Sequence, residues 1–198
     1  MKKHLFNALI ILGCCSLFAC GDTDDSDVET SDTTASSGVT TDTSGTATQS
    51  SAPPDSTTVM FVTKAASGGM MEVQLGNIAQ EQAQSQRVKD FGAMMVRDHG
   101  KANDELKSIA SGKNVAISDS LMPEHKHHVA DLQKRKGAAF DKAYMNMMVQ
   151  DHQKDIQEFE KASNNLSDGE VKAFATRTLP TLKAHLDSAT AITKGKKQ

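Results

Sequence analysis

The chain has 198 residues, a formal net charge of −3 and 4% aromatic residues, with no Trp and one Tyr. That length suits one folded domain with appendages. Eight acids and no Lys or Arg fall between residues 21 and 57, which leaves the chain beyond them only slightly basic; so weak a positive charge, without aromatic platforms for bases, argues against a nucleic-acid partner.

The first predicted element is an export leader over residues 1–19. Lys2, Lys3 and His4 form a basic start, and Leu5 to Ala19 are mostly apolar. That run is shorter than the roughly 20 residues a membrane-spanning helix needs, so it reads as a signal peptide. All three cysteines, Cys14, Cys15 and Cys20, lie in the first 20 residues, so the rest of the chain has no disulfide, thiolate metal site or cysteine nucleophile. Leu17-Phe18-Ala19-Cys20-Gly21 resembles the bacterial lipobox. The resemblance implies diacylation of the Cys20 thiol, cleavage before it and a membrane anchor, each buried CH₂ adding about 0.8 kcal/mol. The implied location is the cell envelope, at the outer membrane, on its periplasmic face or at the cell surface. Asp22-Thr23-Asp24-Asp25 resembles surface-export signals of some lipoproteins and would serve equally as solvated linker.

Residues 20–57 form the second predicted element, a lipidated cysteine and an acidic Ser/Thr/Asp-rich tether closed by Pro53-Pro54. Such a composition cannot offset the entropy of ordering. As a flexible coil the tether would reach roughly 35 Å and hold the domain away from lipid.

From residue 58 to 198 the pattern is helical, and strand signals are absent. Helix A is predicted over about 59–84 and helix B over about 86–111, stopping at Gly112. A short helix starts near Pro123 and ends by Gly137. Helix C covers about 138–164. Helix D follows an N-cap at Ser167 or Asp168 and runs to about 193, with a kink expected at Pro180. Short A–B and C–D connections make those pairs antiparallel. The B–C connection is long enough to return along the bundle. The predicted fold is therefore all-α, a ferritin-like four-helix bundle with a long B–C crossover carrying a short extra helix.

An internal repeat stands out. Helix B carries Met94-Met95-Val96-Arg97-Asp98-His99-Gly100-Lys101, and helix C carries Met147-Met148-Val149-Gln150-Asp151-His152-Gln153-Lys154; six of the eight positions are identical. Spacings of three and four place His99 in line with Met95, Ala102 and Leu106. They place His152 with Tyr144, Met148, Ile156 and Phe159, and His185 with Phe174, Leu182 and Ala189. In helix A, Glu72 lies on a line of small residues that includes Ala65, Gly68 or Gly69, Ala79 and Ala83. Each long helix thus turns one ionisable group inward: Glu72, His99, His152 and His185. Buried groups of this kind are paired, hydrogen-bonded or bound to a metal. Imidazole with carboxylate suits a transition metal ion, with Zn, Fe, Cu and Ni not distinguished. Asp98 and Asp151 are ligands in that reading, or acceptors that orient the imidazoles. The other reading of the same residues is a metal-free buried polar network in a structural or protein-interaction module.

The doubled Met-Val-x-Asp-His and Leu179-Pro180-Thr181-Leu182-Lys183-Ala184-His185-Leu186, behind a lipoprotein leader, resemble the bacterial domain of unknown function family 4142. Members are often labelled "predicted outer membrane protein" and classed as ferritin-like. The resemblance covers about 59–193; it implies the helical bundle and the envelope location and brings no settled activity. Di-iron ferritin-like proteins place Glu-x-x-His on two helices, whereas Val96, Val149 and Leu182 stand three residues before the histidines here. A mononuclear or purely structural site therefore fits better than oxygen-activating chemistry.

Two further clusters have quieter readings. Ten methionines include Met70-Met71, Met94-Met95 and Met147-Met148; thioethers bind Cu(I), but Met also fills irregular helical cores. His125, His127 and His128 on the crossover helix read as solvated, with surface metal binding as the alternative. No Gly-x-Ser-x-Gly elbow, phosphate loop or dinucleotide fingerprint is present, so the sequence points to binding rather than catalysis. The membrane is the one partner it implies, and it names no protein partner.

Overall fold

The computed structural model describes residues 54–195; the leader, Cys20 and nearly all of the tether lie outside the described residues. Five helices follow one another: α1 (Ser56–Gln82), α2 (Gln86–Gly112), α3 (Pro123–Gln133), α4 (Gly137–Asn165) and α5 (Gly169–Thr193). The four long helices match the predicted ones to within a turn at every end. Asp55 caps α1, its carboxylate accepting from the N–H groups of Thr57 and Thr58, and Asp168 caps α5 through Glu170 and Val171. Ser85 makes no side-chain cap for α2. Asp141 of α4 accepts from the N–H groups just before the helix, Gln84 at 3.0 Å and Ser85 at 2.8 Å, and so ties the α1–α2 turn to the second hairpin. Pro180 does not break α5. It is exposed, where the carbonyl left without an N–H partner can meet water.

Contacts between side chains give the topology. Phe91 packs on Tyr144 and, about two turns further along both helices, His99 packs on His152, so α2 and α4 run in the same direction. Glu72 meets His99 while Gly76 lies against Gly92, so α1 and α2 are antiparallel. His152 meets His185 while Phe159 meets Phe174, so α4 and α5 are antiparallel too. Two hairpins joined by a crossover that returns along the bundle make the ferritin-like four-helix arrangement predicted above.

The small residues of α1 work as their pattern predicts. A Cβ on Gly76 would stand 2.6 Å from the Gly92 carbonyl oxygen, and one on Gly92 would stand 2.7 Å from that of Gly76. The two backbones can approach only because both positions are glycine. On the other side of α1, α3 is pinned by one hydroxyl. Ser67 Oγ accepts from Met122 N–H at 2.8 Å and shares a hydrogen bond of 2.7 Å with His125 Nδ1. His125 is therefore buried, at 5% exposure, and not solvated as the sequence suggested. Of the three crossover histidines His127 is exposed and His128 partly so.

The core divides in two. One apolar cluster holds Leu75, Val88, Phe91, Met95, Phe140, Tyr144 and Met148. The other holds Val62, Leu106, Phe159, Phe174 and Leu182. Met71, Met95, Met145 and Met148 all lie in the first, the core-filling role of thioethers. Every long helix passes from one cluster to the other, and at the crossing point it carries Glu72, His99, His152 or His185. The four polar residues thus form a layer across the bundle.

A candidate metal centre between the two apolar clusters

The four residues picked out by helical periodicity do come together. Glu72 is 1% exposed, His99 7%, His152 0% and His185 2%. The three imidazole rings are neighbours, with centroids 5.6 Å apart for His99–His152, 5.2 Å for His99–His185 and 5.3 Å for His152–His185. One ring nitrogen from each lies within 4.8 Å of those of the other two. Glu72 borders this set rather than sitting among the rings: Oε2 is 2.7 Å from His99 Nδ1, and Oε1 is 3.5 Å from His152 Nε2.

Each imidazole has one nitrogen against an oxygen of a different residue. His152 Nδ1 lies 2.9 Å from the Met148 carbonyl of its own helix. A carbonyl only accepts, so Nδ1 carries the proton and Nε2 is bare. His185 Nε2 lies 3.0 Å from Asp98 Oδ2. Burial alone would raise the Asp98 carboxyl, but the hydrogen bonds from His185 and Arg97 outweigh it and hold the group below its usual range. An ionised carboxylate only accepts, so His185 Nδ1 is bare as well. His99 has its Nδ1 on Glu72, and its Nε2 is buried without a hydrogen-bond partner.

The bare nitrogens of His152 and His185 face each other at 3.3 Å. Two lone pairs so placed repel unless a cation lies between them. A proton does not meet the need near neutrality. Burial drives His152 down to about 3, with the His99 and His185 charges acting in the same sense, and it drives His185 and His99 down to about 4 against opposing carboxylates. A metal ion with bonds of about 2.0–2.1 Å in tetrahedral geometry has ligand atoms about 3.4 Å apart. Both the 3.3 Å separation and the 3.5 Å from His152 Nε2 to Glu72 Oε1 fit such edges. Glu72 Oε1, like His99 Nε2, is buried and unpartnered. Each orphan of this kind costs about 1–3 kcal/mol. A polar layer so incompletely satisfied is a poor device for stability alone.

The two aspartates of the repeat part company. Asp98 is the acceptor that orients His185. Asp151 leaves the imidazoles aside and joins a second set with Glu72 and Asp155, one carboxylate oxygen from each lying within 4.8 Å of the others. Asp155 was missed in the sequence, although it stands four residues after Asp151 and so shares its helix face. Burial raises the Glu72 carboxyl well above its ordinary value, with the Asp151 charge adding to it. Asp155 is likewise raised by burial and then by Glu72 and Asp151. The space beside both sets is lined by Glu72, His99, Asp151 and Asp155. It leaves about 30 Å³ for the centre of a water-sized sphere, enough for one or two waters or an ion.

No functionally curated protein matches this sequence. Among solved structures the chain is similar to a fragment of a DUF305 protein from Deinococcus radiodurans, with a TM-score of 0.64 and 14% identity over 72% of this chain and 99% of that one. At that identity the likeness speaks for the fold alone. The model of the family described as "Domain of unknown function (DUF4142)" matches residues 43–192, a span that takes in the whole polar layer and all of the long helices but the last residue of α5, and the chain belongs to that family.

Proposed function

We propose that this domain binds a transition metal ion in the middle of the bundle, with His99, His152 and His185 as nitrogen ligands and Glu72 supplying the fourth position and a balancing charge. The observation that carries the reading is the pair of bare nitrogens, His152 Nε2 and His185 Nδ1, 3.3 Å apart with the opposite side of each ring already bonded. Second acceptors on metal-bound imidazoles fix tautomer and ring orientation; here they are the Met148 carbonyl, Asp98 and Glu72. The donor set of three neutral imidazoles and one carboxylate suits Zn, Fe, Cu or Ni.

The proposal extends to the place where the ion is held. A lipid on Cys20 and the acidic tether would keep the domain at the outer membrane, where it handles metal rather than performs a reaction. The lipobox-like Leu17-Phe18-Ala19-Cys20 supports that part, and incorporation of labelled fatty acid, lost in Cys20→Ser, tests it.

Elemental analysis of the purified protein, with thermal melts in the presence of Zn, Cu, Fe and Ni ions, tests the centre. The expected result is a bound ion and an ion-dependent rise in Tm. A protein that carries none and whose melt ignores all four ions is instead a metal-free module with a buried polar network.

A further inference from the structure

The carboxylate set beside the imidazoles calls for its own occupant. Asp151 and Asp155 lie on one face of α4, and Glu72 reaches them from α1. Three carboxyl groups gathered in a half-buried place cannot all ionise unless a cation joins them. Among the described residues neither Asp151 nor Asp155 makes an ion pair. The lysines that line the adjoining cavity are turned to other acids, Lys64 to Glu158 and Lys154 to Glu124 at 3.6 Å. Two oxygens of the set are buried without a hydrogen-bond partner, Oε1 of the almost fully buried Glu72 and Oδ2 of Asp151. The adjoining cavity reaches the surface beside Lys64, Lys154 and Glu158, which are partly or fully exposed.

We propose that Glu72, Asp151 and Asp155 form a second cation site, for a divalent ion that prefers oxygen, and that Glu72 serves this ion and the imidazole-bound one together. Only the sharing of Glu72 rests on the reading above; the carboxylate site itself does not. The two donor sets differ in kind. Three imidazoles select ions of the Zn, Cu and Ni sort, while carboxylates with room for water select Mn²⁺, Mg²⁺ or Ca²⁺. The site is also not a by-product of the repeat. The residue matching Asp155 in α2 is Ala102, so only α4 carries the extra acid.

The test is to load the protein with Zn²⁺ and then titrate Mn²⁺, following free Mn²⁺ by electron paramagnetic resonance and both metals by elemental analysis. One Zn²⁺ and one Mn²⁺ per chain are expected. Asp155→Asn, which keeps the side-chain volume, should weaken Mn²⁺ at least tenfold and leave Zn²⁺ in place. His185→Ala should do the reverse, and Glu72→Gln should weaken both; circular dichroism confirms that each variant is helical. Zn²⁺ bound with no stoichiometric Mn²⁺, or Mn²⁺ bound equally well by Asp155→Asn, overturns the second site and leaves the imidazole centre standing. Mn²⁺ bound without Zn²⁺ overturns the imidazole centre and the sharing of Glu72. Neither metal bound overturns both.

Discussion

The two copies of Met-Met-Val-x-Asp-His are nearly identical in sequence and opposite in use. In α2, Asp98 reaches across to orient His185 on α5, while the neighbouring His99 leans on Glu72 of α1. In α4, His152 is oriented by its own helix through the Met148 carbonyl, which frees Asp151 to join Glu72 and Asp155. The difference comes from the surroundings of each copy. Helix α2 lies tight on α1 because Gly92 meets Gly76; the matching position in α4 is Met145, buried in the core. Helix α4 in turn has Asp155 where α2 has Ala102. A repeated motif therefore repeats a local shape, an inward His beside an acid, and the neighbours decide what the acid does.

The comparison is broken most decisively at the histidines. His152→Ala removes a fully buried ligand and should abolish any metal-dependent rise in Tm, as should His99→Ala. His127→Ala, on the exposed face of α3, should leave the rise intact. A metal response that survives His152→Ala places the ion elsewhere.

Acid should act nearly as strongly. The three histidines have folded values of about 3 to 4 against 6.5 in the unfolded chain. Below 6.5 the unfolded chain binds more protons than the folded one, so the stability they contribute is present above pH 6.5 and is lost as pH falls through about 4. Glu72 and Asp155 have raised values and act in the opposite sense, their contribution fading as pH rises through those values. An ion restores the charge balance that ionised Glu72 upsets, so the ion-dependent rise in Tm should grow between pH 5 and pH 8. Melts at stepped pH with and without ion check this, and a rise that shrinks with pH contradicts it.

Next come the acids that set the copies apart. Asp98→Ala deprives His185 of its orienting acceptor and should weaken metal affinity by about 10–100-fold. Asp151→Ala leaves every imidazole anchor in place and should change the affinity of the imidazole-bound ion by far less. Equal losses in the two variants would mean that the copies work alike. Gly92→Ala tests the packing that separates them. Its methyl would meet the Gly76 carbonyl at 2.7 Å and the Ala79 Cβ at 2.8 Å, backbone and a short side chain that cannot swing away. The expected loss of stability is about 1–3 kcal/mol by chemical denaturation.

Much of this was legible before any coordinates. Spacings of three and four put Glu72, His99, His152 and His185 on inward faces, and the long B–C connection gave the crossover that brings all four to one level. The same arithmetic could not separate Asp98 from Asp151, because both stand one step before a histidine and only the packed neighbours differ. Asp155 escaped notice because it lies at the edge of the apolar stripe of α4, where an acid reads as part of a solvated face. His125 was misread because its burial depends on Ser67, which is far away in sequence and supplies the hydroxyl that holds it. Helical period reports direction well; partners across the bundle are beyond its reach.

The smallest effect is expected from the position that would make the copies most alike. Arg97 is the residue of α2 that stands where α4 has Gln150. It bonds Asp98 at 2.9 Å, but its side chain is 68% exposed, and an ion pair so open to water is worth about 0–1 kcal/mol. Arg97→Gln should therefore shift stability by no more than about 0.5 kcal/mol. Its effect on metal binding should also be slight, because the buried His185 still supplies its own hydrogen bond to the Asp98 carboxylate when the two from Arg97 are gone. Denaturant melts and metal titration of this one variant decide the matter. A loss of affinity approaching that of Asp98→Ala would show that the arginine, not the imidazole, keeps Asp98 charged, and the division of labour between the two copies would then begin one residue earlier than the Asp-His pair.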